Sequence, residues 1–253
     1  MEAEALHVVR HGEGRPVVVL HGAGVDHRES EACFEPLLDR PDLCRVYVDL
    51  PGMGRSPAPE SLRSPDDVIH VLLDFVKREC DGDRVLLVGH SWGAFLAQAM
   101  AARIPELVAG LALVCPLLIS GEEPPEHRVV KGNGDLGDEA FRDYFVIQTP
   151  QMWERYQRHV APAADLVDEA AMERIGENWG LSLASTPYAG PTLVVAGRLD
   201  STVGYTGAAA LLDVHPRATV AVIDDAGHAL PHEQPELLGA LMAHWLTRVA
   251  RAS

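Results

Sequence analysis

Three residues whose types could do acyl chemistry each sit where an apolar run gives way to a loop. Ser91 lies in Gly89-His90-Ser91-Trp92-Gly93, after the apolar run Val85-Leu86-Leu87-Val88 and before a small-residue stretch over 94–102. Strand, G-x-S-x-G, helix is the context of a nucleophile elbow. The turn is so tight that the residues two before and two after the serine must be small. The same tightness strains the serine backbone and lifts its hydroxyl above the sheet. An alcohol is a weak nucleophile at neutral pH. It needs a base beside it, an acid to orient that base, and donors aimed at the oxyanion that forms.

His228 is the candidate base. It stands in Asp225-Ala226-Gly227-His228, after the run Val220-Ala221-Val222-Ile223, and the segment continues to Glu233-Gln234-Pro235. Asp200 is the candidate acid, in Gly197-Arg198-Leu199-Asp200, directly after Leu193-Val194-Val195-Ala196. A loop aspartate commonly serves a turn, but the carboxyl end of a core strand is where catalytic groups converge. Two backbone N–H groups are expected to form the oxyanion hole. One is that of Trp92, at a helix N-terminus where the dipole adds to it. The other is that of Ala23, in His21-Gly22-Ala23-Gly24, which follows Val17-Val18-Val19-Leu20. His21, Gly22, Phe145, Trp153 and Trp179 are the expected substrate-pocket residues. No cofactor and no metal is expected. His228 and His232 are four apart, but Pro231 between them argues against a helical metal pair.

These groups must be held by a framework. Six apolar runs, at 17–20, 46–48, 85–88, 111–115, 193–196 and 220–223, are mostly continuous rather than alternating. That marks strands buried on both faces, as in a parallel sheet. A more polar run at 6–10 fits a sheet edge. Helices are expected between the strands. Ser64-Pro65-Asp66-Asp67 opens one with a cap, a proline in the first turn and carboxylates at the N-terminus. Others are expected over 92–103, 205–214 and 237–250. Strand–helix alternation of this kind gives an α/β fold with a doubly wound, mostly parallel sheet. The rhythm breaks between 117 and 187, where helical segments over 138–146, 151–159 and 165–179 carry many aromatics and no core-strand run. The expected organisation is a core of 1–116 and 188–253 with a helical lid, 117–187, inserted in it.

Composition bounds the rest. The chain of 253 residues fits one large α/β domain, and its formal net charge of −16 argues against nucleic acid and anionic membrane as partners. The four cysteines show no C-x-x-C spacing, so free thiols in a reducing compartment are expected. The N-terminus is acidic and has no apolar signal-peptide core, and no run approaches a membrane span. A cytoplasmic protein acting on a small molecule, as a monomer or homodimer, is the expectation.

With these motifs in order, the chain resembles α/β-hydrolase-fold proteins of the lid-bearing kind, related to small esterases, proline iminopeptidases and meta-cleavage C–C hydrolases. The resemblance runs from 17 to 245. It rests on His21-Gly22-Ala23-Gly24, Asp49-Leu50-Pro51-Gly52-Met53-Gly54-Arg55-Ser56, the serine elbow, Gly197-Arg198-Leu199-Asp200, and Gly227-His228 with Glu233-Gln234-Pro235. The order Ser91, Asp200, His228 is the one the resemblance implies, and the N-terminal hairpin is shorter than it implies. It makes Asp49 to Ser56 a structural turn. The implied activity is hydrolysis of a small carboxylic ester or related acyl compound through a Ser-His-Asp triad and an acyl-enzyme. Fold does not fix function, so a C–C bond hydrolase, an aminopeptidase, a lyase or cyclase on the same triad, and a ligand-binding protein remain open readings here.

Overall fold

The computed structural model describes residues 6–80, 83–117, 123–132, 134–177 and 188–252. Chain order is β1 (Val8–His11), β2 (Arg15–Leu20), α1 (His27–Leu38), β3 (Leu43–Val48), α2 (Pro65–Cys80), β4 (Val85–His90), α3 (Trp92–Arg103) and β5 (Val108–Val114). After these come α4 (Glu139–Tyr144), α5 (Pro150–His159) and α6 (Glu169–Gly176). The chain returns to the sheet with β6 (Thr192–Gly197), α7 (Leu211–Val214), β7 (Ala218–Ile223), α8 (Leu230–Glu233) and α9 (Pro235–Ala250). The seven strands form one sheet in the order β1-β3-β2-β4-β5-β6-β7. All neighbours are parallel except β1, which runs antiparallel along β3. The expected N-terminal hairpin is therefore absent as a paired unit: β1 and β2 flank β3 and do not pair with each other.

Successive side chains point to opposite faces, so each central strand feeds two cores. Val18, Leu20, Leu87, Leu111, Leu113 and Val194 pack with Leu72 and Val76 of α2 and Leu96 and Met100 of α3. Val17, Val19, Leu86, Val88, Ala112 and Val195 pack with Phe34 and Leu38 of α1 and Leu238, Met242 and Trp245 of α9. β4, β5 and β6 are buried along their whole length, which is why their sequences read as unbroken apolar runs. Each such aliphatic side chain contributes about 1.5–3 kcal/mol on leaving water. The strand order thus places the loops after β2, β4, β6 and β7 along one rim.

The expected cap of α2 is present: Ser64 Oγ accepts from Asp67 N at 3.3 Å and donates to Asp67 Oδ2 at 2.8 Å. The helix expected over 205–214 is broken into a short 3₁₀ turn, Thr206–Ala208, and the four-residue α7. Gly207 lies within that 3₁₀ turn, and glycine is a poor helix former. Helix α1 had no counterpart among the expected elements. Its buried face mixes Cys33, Phe34 and Leu38 with His27, Glu29 and Ser30, so no apolar stripe marks it.

Helices α4 and α5 build a small cluster of their own from Phe141, Phe145, Met152 and Tyr156, closed by Val25 and Ala229 from the core. Helix α6 is tied to the loop after β3: Asp168 N donates to Gly52 O at 2.8 Å, and Arg174 reaches the carbonyls of Ala58 and Leu62. No helix among the described residues is long and apolar enough to cross a membrane.

Candidate active site

Strand β4 delivers Ser91 to the rim with φ 53° and ψ −117°, a left-handed conformation that costs a non-glycine residue on the order of 1–3 kcal/mol. The flanking glycines make the turn sterically possible. A methyl group on Gly89 would lie 2.4 Å from Gly93 O, and one on Gly93 would lie 2.2 Å from Leu20 O. Helix α3 thereby begins directly against the end of β2.

Strand β6 ends in a turn that buries Asp200 completely. Its Oδ1 accepts from the amides of Thr202 and Val203, both at 3.0 Å, leaving Oδ2 for a side chain. After β7 the loop brings in His228. Its Nδ1 lies 2.8 Å from Asp200 Oδ2 and its Nε2 lies 2.9 Å from Ser91 Oγ. Burial alone would raise the Asp200 pKa. The adjacent His228 and the hydrogen bonds from His228, Val203 and Thr202 outweigh it and hold the carboxyl below its ordinary value. An ionised Asp200 only accepts, so Nδ1 carries the imidazole proton and Nε2 is the acceptor facing the serine hydroxyl.

Two carboxylate-centred knots fix this arrangement. Glu233 Oε2 accepts from Gly227 N at 2.8 Å, while its Oε1 accepts from Val146 N at 2.7 Å and Ile147 N at 3.0 Å. One buried side chain thus joins the histidine loop to the segment after α4. Asp49 accepts from the amides of His27 and Arg55 and from His27 Nδ1, pinning the loop after β3, which is the structural part assigned to that motif. His90 Nε2 donates to the His228 carbonyl at 3.0 Å. Burial and the neighbouring His228 pull the His90 pKa down to about 4.

A cavity of about 240 Å³ opens onto Ser91 and His228, lined by Gly22, Ala23 and Gly24 on one side and by Ala140, Tyr144 and Tyr156 of the inserted helices on another. A methyl group on Gly22 would sit 3.4 Å from Ser91 Cβ, so the Gly22-Ala23 backbone runs beside the serine. Trp92 opens α3, and its indole stacks on Phe95 inside the core.

Several expected pocket residues lie elsewhere. His21 is fully buried and absent from the cavity lining. Its Nε2 accepts from Leu50 N at 2.9 Å and its Nδ1 donates to Gly22 O at 2.7 Å, so it braces two loops. Phe145 and Trp153 pack against Phe141 and Tyr156 within the helical insertion, and of its described aromatics it is Tyr144 and Tyr156 that line the cavity. Trp179 lies outside the described residues. Nothing local in the sequence marks Glu29; Tyr144 and Tyr156 are not distinguished from the other aromatics of the insertion; and Glu233, named in the Glu233-Gln234-Pro235 motif, acts on Gly227 and not on the cavity.

Among the described residues, two groups bring metal-ligating atoms within 4.8 Å of one another: His90, Cys115 and His228, and His7, His27 and Asp49. In the first, both His228 nitrogens face Asp200 and Ser91. In the second, Asp49 already accepts from the His27 and Arg55 amides and from His27 Nδ1.

A mostly parallel, doubly wound sheet with a strained serine between strand and helix defines the class, an enzyme of the hydrolase type built on the α/β scaffold. The model of the alpha/beta hydrolase family matches residues 17–241, and the chain belongs to that family. Among its relatives is the 2-hydroxy-6-oxo-6-(2'-aminophenyl)hexa-2,4-dienoic acid hydrolase of Metapseudomonas resinovorans, 28% identical over 94% of this chain and 86% of that protein. The pimeloyl-[acyl-carrier protein] methyl ester esterase of Aeromonas hydrophila is also 28% identical, over 94% of this chain and 98% of that protein. Among solved structures, an alpha/beta superfamily hydrolase from Oenococcus oeni superposes with a TM-score of 0.90 at 27% identity, covering 98% of this chain and 97% of that one.

Proposed function

We propose that the protein is a serine hydrolase of small carboxylic esters and that Ser91, His228 and Asp200 are its catalytic triad. The observation that carries this reading is the unbroken hydrogen-bonded chain from Ser91 Oγ through His228 to Asp200, at 2.9 Å and 2.8 Å. In the first half-reaction His228 Nε2 takes the proton as Ser91 Oγ bonds to the substrate carbonyl carbon. The N–H groups of Ala23 and Trp92 hold the oxyanion. The tetrahedral adduct collapses, the ester C–O bond breaks, and His228 returns the proton to the leaving alcohol. Water, deprotonated by the same nitrogen, then attacks the acyl-enzyme and releases the acid with Ser91 regenerated.

In this reading residues 117–187 are the lid over the site. The cavity, at about 240 Å³, lies below the roughly 300–1,000 Å³ usual for ligand sites, which supports a short acyl or alcohol group. One relative acts, by its name, on a dienoic acid. An anionic substrate of that sort calls for a cation, and the cavity lining contains no arginine or lysine among the described residues. That favours ester over C–C bond cleavage. Buried free thiols at Cys33 and Cys115 suit a reducing, cytoplasmic setting.

The test is fluorophosphonate labelling with mass-spectrometric site mapping, beside a p-nitrophenyl acyl-chain series. Labelling at Ser91, and turnover that disappears in Ser91→Ala while the fold is kept, is the expected result. A Ser91→Ala protein with the wild-type rate would end the covalent reading.

A further inference from the structure

One carboxylate faces the cavity that Ser91 and His228 share, and the triad does not use it. Glu29 sits in the first turn of α1, 2% exposed, and lines that cavity together with Val25, Ala140, Val160, Ala161 and Ala164. Its Oε1 accepts from Tyr144 Oη at 2.6 Å and from His232 Nε2 at 3.2 Å. Among the described residues no hydrogen bond reaches Oε2, although an ionised carboxylate accepts up to about four.

Burial would push the Glu29 pKa up, but the hydrogen bonds from His232 and Tyr144 and the nearby imidazoles of His90 and His232 bring it down to about 2. The carboxylate is therefore charged at any working pH. Tyr144 is committed to it as a donor and cannot donate to the substrate at the same time.

We propose that Glu29 is a specificity-determining residue, accepting a hydrogen bond from a donor, hydroxyl or ammonium, on the part of the substrate held in this cavity. The inference rests on the ester-hydrolase reading and names its substrate class. An alkyl group in the same place would strip water from a charged acceptor and give nothing in return. An anionic group would meet like charge. A donor-bearing group satisfies Oε2 and leaves the Tyr144 and His232 contacts intact.

Two ester series test this with purified protein. In the first the leaving group is p-nitrophenol and the acyl group is butyryl, 3-hydroxybutyryl, 3-aminobutyryl or hemisuccinyl. In the second the acyl group is butyryl and the alcohol is propanol or 1,3-propanediol. The readout is the ratio of kcat/KM for the donor-bearing ester to that for its alkyl counterpart. In one series the wild-type ratio is expected at roughly 10- to 100-fold, the range for a hydrogen bond to a charged group, with the hemisuccinate poorest of the acyl set. The hydroxyl and amino arms identify which donor fits. In Glu29→Gln the ratio is expected to fall to within about threefold of unity and the hemisuccinate to gain relative to butyrate. Wild-type ratios near unity in both series, with turnover that depends on Ser91, overturn this inference alone, as does a Glu29→Gln enzyme that keeps the wild-type ratio. No Ser91-dependent turnover of any ester overturns the ester reading and this inference with it. The wild-type ratio requires no substitution, so it decides the matter even where Glu29→Gln does not fold.

Discussion

Replacing Asp200 by asparagine isolates the part of the site that is hardest to see in a rate, the tautomer of the base. Asp200 Oδ1 receives the amides of Thr202 and Val203, each at 3.0 Å. An asparagine must leave its carbonyl oxygen there, because its NH₂ cannot accept from two N–H groups. The NH₂ then occupies the place of Oδ2, 2.8 Å from His228 Nδ1. A donor now faces Nδ1, so Nδ1 must accept and the ring proton moves to Nε2. Nε2 then presents a proton to Ser91 Oγ at 2.9 Å and cannot take one away. The expected loss is about 10⁴-fold in kcat, the magnitude known for a triad locked in the wrong tautomer, or roughly 5 kcal/mol at 1.36 kcal/mol per decade. KM is expected to change little, since Asp200 does not line the cavity. The assay is steady-state hydrolysis of the best p-nitrophenyl ester by wild-type and Asp200→Asn enzyme, with Tm measured to verify folding. A folded Asp200→Asn enzyme within tenfold of the wild-type kcat would refute the assignment of Asp200 as the orienting acid.

Three further perturbations probe separate links. Ser91→Gly removes the nucleophile and also relieves the strain at φ 53°, so the inactive protein should melt a few degrees higher, for a gain of about 1 kcal/mol; an unchanged or lower Tm argues that the elbow stores no strain. Glu233→Ala leaves the amides of Val146, Ile147 and Gly227 without their carboxylate, at roughly 1–3 kcal/mol for each one unpaired. Thermal unfolding should show a large loss, with kcat falling in whatever protein remains folded, and a shift under 1 kcal/mol by denaturant titration counts against its role as a positioning residue. His90 is held neutral, with its pKa at about 4 against an ordinary 6.5. The unfolded chain therefore takes up the proton first, and the stability that neutral His90 contributes is complete above pH 6.5 and is lost as pH falls towards 4. His90→Gln cannot titrate, so its Tm should decline less steeply than that of the wild type over that interval; parallel declines would exclude His90 as a source of acid sensitivity.

What could be read from the sequence and what could not divide along the range of the forces involved. A strand buried on both faces must be apolar at every position, so β4, β5 and β6 are visible as local runs. The serine turn is visible because a methyl group at Gly89 or Gly93 would collide with backbone 2.2–2.4 Å away, a steric demand that leaves only small residues. From those strands and that turn, the meeting of Ser91, Asp200 and His228 at one rim follows by topology, since parallel strands all end on the same side. The cavity wall has no such local signature. Phe145 and Trp153 have the composition expected of a pocket, yet a helix of the insertion has two sides that could bury aromatics, and only its docking on Val25 and Ala229 decides which is used. His21 carries the residue type of a site but is consumed by Leu50, 29 positions away. Glu29 is the extreme case. Its charge, burial and aim are set by Tyr144, 115 residues on, and by His232, 203 residues on, so a glutamate that reads as an ordinary first-turn acid of an unnoticed helix becomes the one ionised carboxylate lining the cavity among the described residues. The proposed reacting centre is thus written in short-range sterics and strand order, whereas the proposed selectivity of the site is written in contacts that exist only after the chain has folded.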